Sequence, residues 1–365
     1  MNLQLNNINK LPVRTWSWLG INEVSVKENI PEVTAYNKDP IKSDKSILDN
    51  LILQNSFNSE TLLSSIETGM EEDTVRFIKK YKNSGISLCI PEGIRVKEPI
   101  YLDYRLDETN STVVEFNQIV AEENSEVTVV LSYRSDKDKT VFHSGLTYLY
   151  AGKNAVINLI QVQLLGENAI HLNNVGAKLI DGGTVRYTQS ELGSIQSLSS
   201  VHADLSGNNS RMDINTIFFG DKNHSLDFNY VINHIGRMTQ SEITLNGALL
   251  DQSSKVFRGT LDFKKGASGS VGQEKENTLL FSPKIKNISA PLILCAEENV
   301  EGKHAANSGK IDENKLFYMM SRGLDEITAK KLMIEAWFDP VIREIPFTSL
   351  QMDITEYVKA RLSHV

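Results

Sequence analysis

Between Pro99 and Pro283 the chain carries no proline, although nine occur in its 365 residues. Proline cannot donate to a hydrogen-bond ladder and is confined to edges and bulges, so this gap suits strands flanked by neighbours on both sides. The same region is a succession of short runs of period two: Val127/Val129/Leu131, Met212/Ile214, Leu226/Phe228/Tyr230/Ile232, Ile243/Leu245 and Leu261/Phe263. Each reads as a strand turning one face to a core. No run there offers a long helix.

Similar polar turns introduce these runs, starting at residues 122, 151, 181, 207, 221 and 251. Their spacings of 29, 30, 26, 14 and 30 residues are too uneven for a hexapeptide solenoid and suggest the coils of a broader β-helix. A β-sandwich is the alternative, since it also makes many short strands with frequent turns. The pattern favours the solenoid. The glycine series Gly266, Gly269 and Gly272 reads as tight turns within it.

The flanks differ. Residues 1–84 form a mixed segment, in which Trp16, Trp18 and Leu19 read as an aromatic anchor. EEDTVRFIKKYKN at 71–83 predicts a short helix, with acids in its first turn and Val75, Ile78 and Tyr81 on one face. Period-two patterning starts at Ile86, and Pro91-Glu92-Gly93 marks a turn, so residues 85–305 read as the β core. Residues 306–365 read as a helical segment. The stretch from 304 begins as a loop. Asp312 then caps a helix, Ile311 and Leu316 form a hydrophobic staple, and Leu316, Phe317 and Met320 make an apolar stripe. Arg322 suits the last turn and Gly323 the residue beyond it. Asp325 caps a second helix carrying Ile327, Leu332, Met333, Ala336 and Trp337, with Pro340 predicted to stop it.

Composition removes several function classes. Apolar content of 40% and charged content of 23% are those of a soluble globular protein. A formal charge of −8 disfavours nucleic acid as a partner. The basic run Lys79-Lys80-Tyr81-Lys82 reads as the polar face of a helix end. MNLQLNNINKLPVRTW has no apolar h-region, so no signal peptide is expected, and no segment is apolar for long enough to span a membrane. Two cysteines, Cys89 and Cys295, argue for a reducing compartment, and the cytoplasm is the expected location. Lysine follows glycine at Gly152, Gly302 and Gly309 without a Ser or Thr next, and no G-x-G occurs. The chain therefore lacks a phosphate loop, and any ATP it depends on must be hydrolysed by a partner. None of the seven histidines forms an H-x-x-x-H pair and neither cysteine lies in C-x-x-C, so a self-contained zinc or cluster site is not indicated. His143, His171, His202, His224 and His234 read as hydrogen-bonded structural residues.

Leu316-Phe317-Tyr318-Met319-Met320-Ser321-Arg322-Gly323, with His304 twelve residues before it, resembles the C-terminal signature of the SufB/SufD family. These are scaffold proteins of the SUF iron–sulfur cluster assembly machinery. IPEGIRVKEPI at 90–100 is similar to the family's entry to its β-helix. The resemblance implies a right-handed parallel β-helix flanked by N- and C-terminal helical segments. It also implies a non-enzymatic, SufD-like subunit that pairs with a SufB-like paralogue and a SufC-like ABC ATPase. In that reading the chain alone binds no cofactor, a transient iron–sulfur cluster forms in the complex, and the ATPase holds ATP. Whether a flavin joins is left open. The ATPase would dock on the C-terminal helices at Phe317, Tyr318, Arg322, Gly323, Ile327 and Trp337. His304 falls on the family's histidine and is the candidate metal or cluster ligand, or proton relay. Gly302 stands where SufD-type proteins carry a cysteine, and Ala305 where SufB-type proteins carry a glutamate. An ungapped alignment puts Glu276 at the SufB cysteine. Cys295, between Leu294 and Ala296, reads as a buried structural residue, with thiolate ligation as the alternative. A SufB-like primary scaffold acting as a homodimer is the second reading. A β-helix enzyme acting on polysaccharides is the remote third, since it would need grouped acids or Ca²⁺ in a groove.

Overall fold

Sixteen of the strands described alternate, one after another, between two eight-stranded sheets. The computed structural model describes residues 1–15, 19–44, 51, 63–310 and 313–362. Trp16, Trp18, Ile311, Asp312 and His364, and so the expected aromatic anchor, N-cap and staple, lie outside the described residues. The first sheet holds β4 (Ile100–Leu106), β6 (Glu126–Ser135), β8 (Val156–Leu164), β10 (Thr184–Glu191), β12 (Arg211–Gly220), β14 (Gln240–Leu249), β16 (Ser270–Leu280) and β18 (Val300–Lys310). The second holds β3 (Ser87–Ile90), β5 (Thr112–Ala121), β7 (Phe142–Ala151), β9 (Ile170–Leu179), β11 (Gln196–Leu205), β13 (Ser225–His234), β15 (Ser254–Phe263) and β17 (Lys286–Cys295). Every pairing within them is parallel, as between β8, β10 and β12. Two successive strands thus make one coil of a parallel β-solenoid, and the sandwich alternative, built from antiparallel sheets, falls away.

This two-sheet coil explains the uneven turn spacing. Residues 207 to 221 lead from the turn before β12 to the turn before β13, half a coil on the opposite sheet. The next step, to 251, is a whole coil. The polar signature of the turns has a backbone cause. Asn124, Asn154, Gly182 and Asn209 all have positive φ, the region that Gly and Asn enter most readily. From each, the N–H donates to a carbonyl of the next coil: Lys153 at 2.8 Å, Asp181 at 2.9 Å, Asn208 at 2.8 Å and Arg237 at 2.9 Å. Met238 continues the stack at φ 54° without that chemical excuse.

Three apolar layers result. Between the sheets lie the alternating residues of the period-two runs, including Val129, Ile214, Phe228, Ile243 and Leu261. On the outer face of the second sheet, β1 (Asn2–Ile8), β2 (Val24–Asn29) and α1 (Glu72–Tyr81) pack Leu3, Leu5, Phe77 and Ile78 against Val114, Leu146 and Leu198. The outer face of the first sheet is covered by α3 (Glu326–Ile342) and α4 (Thr348–Arg361), whose Ile334, Phe338, Leu350 and Ile354 meet Val162, Ile217, Phe219 and Leu250. Arg361 fastens the end of α4 with a hydrogen bond of 2.9 Å to Asp221. Preceding α3 in the chain and packed against it is α2 (Glu313–Ser321), which buries no side chain.

Several details depart from the sequence reading. Phe77, not Tyr81, shares the buried face of α1 with Ile78, and Val75 and Tyr81 are half-buried at its margin. Pro340 does not stop its helix, which runs on to Ile342: in the last turn the missing N–H costs one bond, and Arg343 N–H still reaches Asp339 O at 3.0 Å. Gly266 and Gly269 sit in a turn with positive φ, whereas Gly272 lies inside β16. Residues 304–310 are not a loop but the end of β18, a strand hidden from pattern reading because its small polar residues do not alternate. Asp325 does cap α3, accepting from Thr328 N–H at 2.9 Å, and Gly323 ends α2 at φ 96°.

Candidate functional site at the uncapped end

Among the described residues no element covers the last strand of either sheet. β17 pairs only with β15, and β18 only with β16, so two parallel strands at one end leave a backbone edge unpaired among the described residues. Such edges are templates for pairing with another chain. Strand alternation and register fix what faces inward there. His304 lies opposite Glu274, which continues the interior row of Ile214 and Ile243, so the imidazole is the last member of an inward-facing row. Ala306 continues the row of Glu276, and Gly302 that of Gly272. On the other sheet Ser289, Ile293 and Cys295 continue the rows of Phe257, Leu261 and Phe263. His304 is exposed, and Ile293 keeps 39% of its surface open to solvent.

Cys295 is exposed, contrary to the buried reading. Its neighbours Leu294 and Ala296 suggested a core, but the strand is the sheet's last, so nothing covers it. Its Sγ donates to Glu297 O at 3.0 Å. Cys295 and His304 stand on different sheets.

Beneath this end lies a charged floor. The ammonium of Lys255, fully buried, is paired with Glu276 and lies 3.2 Å from Ser289 Oγ. Burial pulls the Lys255 pKa down, and Glu276 opposes that pull. Thr278 Oγ1 donates to Glu276 Oε1 at 3.1 Å, while Glu276 Oε2 has no partner. Glu274 is 5% exposed and makes no hydrogen bond among the described residues. Its carboxyl crosses the interior to the bare backbone of Gly259, where a Cβ would stand 1.9 Å from Oε2. Burial, with the Glu276 charge added, pushes the Glu274 pKa up to about 8 against the pull of Lys255, so it is largely protonated at neutral pH.

A second constellation was missed altogether. His143 and His171 are opposite one another on β7 and β9, fully buried, with Nδ1 to Nδ1 at 2.9 Å. His171 Nε2 lies 3.2 Å from Glu191 Oε1, and His143 Nε2 lies 3.5 Å from Glu115 Oε1. Burial pushes the His143 pKa down to about 4, so the ring is neutral at pH 7. One proton must sit between the two Nδ1 atoms, and the pattern assigns it. His143 donates from Nδ1, leaving Nε2 bare and without a partner; His171 donates from Nε2 to Glu191. Ser197 and Gln189 also donate to Glu191, each at 2.7 Å, and Tyr133 donates to Glu115. Gln161, Asn173, Tyr187 and Tyr230 extend the column before Phe218, Phe228 and Phe257 close it off from Lys255. The signal for this pairing was the spacing of 28 residues between the histidines, one coil.

The third feature is the helical face. Phe317 is 72% and Tyr318 58% exposed, with Ile327 and Leu332 also open. Arg322 stacks over the Tyr318 ring at 5.3 Å. Trp337 instead packs, half-buried, against the layer between α3 and the first sheet.

Comparison with known proteins agrees with this architecture. Residues 104–337, more than half of the chain, match the family described as SUF system FeS cluster assembly, SufBD core domain. The chain belongs to the SufB/SufD family. A relative named iron–sulfur cluster assembly protein SufD, from Bacillus subtilis, is 26% identical over 284 residues, covering 77% of this chain and 64% of its own length. SufBD family proteins of Staphylococcus saprophyticus and Pyrococcus horikoshii are 22% and 26% identical, over 91% and 72% of this chain and 74% and 59% of their own lengths. The chain thus spans a little under two thirds of the Bacillus relative. The matched core runs from β4 into α3 and so contains the uncapped end, the sealed column and the exposed face of α2. Among the described residues no three metal-ligating side chains converge, and no helix is long and apolar enough to cross a membrane.

Proposed function

We propose that this chain is a SufD-like scaffold subunit of an iron–sulfur cluster assembly complex, working in the cytoplasm. It meets a SufB-like paralogue through its uncapped end and a SufC-like ATPase through α2 and the exposed side of α3. The observation that carries the reading is the coincidence, at one end of a SufBD solenoid, of two unpaired strand edges with an inward-facing His304. A second strand added to each edge would satisfy the open backbone groups and bring partner side chains over the imidazole. The exposed Phe317, Tyr318 and Arg322 are side chains that dominate interface energies, which suits them to the ATPase contact. His304 would then serve as cluster ligand or proton relay, with thiolates supplied from across the interface.

The test is His304→Ala in the complex assembled with paralogue and ATPase. Loss of cluster absorbance with the complex intact by gel filtration supports the reading. Normal cluster yield, or loss of assembly alone, contradicts the role given to His304.

A further inference from the structure

The small sheet on the outer face of the solenoid has an open edge of its own. Among the described residues β1 pairs only with β2, which leaves its other side as bare backbone. Ile30 N–H donates to Met1 O at 2.9 Å, and Met1 N lies 2.7 Å from Ile30 O, so these two residues are a hydrogen-bonded pair. Such pairs alternate along an antiparallel ladder. Leu3 and Leu5 therefore turn their backbone groups to Glu28 and Val26 of β2, and Asn2 and Gln4 turn theirs away from it. Beside this edge lies a groove of about 440 Å³, lined by Met1 to Leu5, by no residue of β2, and by one face of α1 that includes Arg76, Phe77 and Lys80. Leu3, Leu5 and Phe77 are buried at its base. Arg76 is 72% exposed and Lys80 is also open to solvent, while Asp73, the acid of the groove, is paired with Arg76.

We propose that β1 takes up an extended acidic segment of a partner protein as a third strand, laid between it and α1. Main-chain bonds to Asn2 and Gln4 supply affinity, and alternate side chains supply specificity. One row of the added strand faces down to Leu3, Leu5 and Phe77, and the other faces outward beside Arg76 and Lys80. The segment that fits therefore alternates apolar and acidic residues. Charge complementarity favours it: on a chain of formal charge −8, this rim is cationic. The edge itself is also unprotected. Proteins block exposed edges with charge or proline, and NLQLNNI of β1 has neither, whereas β2 carries Lys27 and Glu28. The groove lies on the face opposite α3 and α4, so its occupant is compatible with the contacts proposed above.

The test is fluorescence anisotropy with the full-length chain and a labelled peptide, Glu-Val-Glu-Ile-Glu-Val-Glu. Saturable binding is expected, weakening as sodium chloride is raised. Arg76→Glu combined with Lys80→Glu should weaken it by about tenfold or more, whereas Arg237→Glu, exposed on a solenoid turn, should leave it unchanged. Gln4→Pro removes an outward N–H and no bond to β2, so it should weaken binding by about tenfold or more with the circular dichroism of the parent. In the parent chain the Gln4 amide should become protected from hydrogen exchange when the peptide is bound. Lack of binding, equal binding of the peptide with Lys in place of Glu, or undiminished binding by the Arg76 and Lys80 variant overturns the proposal. So does unchanged exchange at Gln4, which decides the matter even if Gln4→Pro fails to fold. Each of these failures leaves the scaffold reading standing, since that reading rests on the uncapped end and α2.

Discussion

The solenoid holds two carboxylate–imidazole constellations that differ in one respect, access. In the middle coils Glu115, His143, His171 and Glu191 are all buried to within 1%. Tyrosine, serine and amide side chains fill most of their remaining bonds, and three phenylalanines close the column. At the uncapped end Glu274 and Glu276 are almost as deeply buried, and Glu276 Oε2 has no partner, beneath an exposed histidine. The sealed set reads as structure: a polar network in low dielectric fixes one register of the coils and titrates reluctantly. Both sets leave polar atoms without a partner, Glu115 Oε2 and His143 Nε2 in the column and Glu276 Oε2 at the end, but only the second set lies beneath a solvent-exposed edge. The same residue types therefore do different work according to where the coil stack ends.

The largest expected difference between the two regions is in stability. Glu191→Ala leaves donors on His171, Ser197 and Gln189 unpaired and should cost about 3 kcal/mol or more in a urea titration. His304→Ala, on an exposed edge, should cost less than about 0.5 kcal/mol. Equal costs would erase the distinction.

The two regions should also pull pH dependence in opposite directions. Burial holds His143 in the sealed column, and His234 outside both sets, at about 4, below the value of about 6.5 of an unfolded histidine. The unfolded chain therefore takes up these protons first, and stability present above pH 6.5 is lost as pH falls toward 4. The slope is up to about 1.4 kcal/mol per pH unit for each ring. Glu274 is raised to about 8, so the unfolded chain loses that proton first and stability falls as pH rises from about 4.3 to 8. In metal-free buffer, Glu274→Gln should gain on the parent chain as pH rises from 5 to 8, and His143→Gln should flatten the acid limb. Parallel curves for parent and variants would contradict the assignment.

The smallest stability effect belongs to the helical face. Phe317→Ser and Tyr318→Ser should change stability by less than about 0.5 kcal/mol, since both side chains are mostly exposed. Together they should abolish co-purification with the ATPase, measured by affinity pull-down, while pairing with the paralogue is unaffected. Retained ATPase would move its contact elsewhere.

Much of the solenoid was legible because interior rows repeat apolar residues at period two, as Leu226 to Ile232 do, and because stacked turns favour Asn or Gly. Coil length was less legible, since polar turns recur at both sheets and one spacing spanned only half a coil. The constellations were hidden for a related reason. His143 and His171, or Glu274 and His304, are neighbours only once the register is known, and no local motif joins residues a coil apart. Cys295 was misjudged because apolar flanks imply burial only when another strand follows, and β17 is the last of its sheet.

Hydrogen exchange at the two end strands tests the central claim most directly. In the isolated chain, the edge-facing amides within residues 286–295 and 300–310 should exchange fast, while β9 and β11 stay protected. On assembly with the SufB-like paralogue, both end strands should become protected together. A complex that forms by gel filtration with both strands still exchanging at their free rates would place the partner elsewhere and contradict the account.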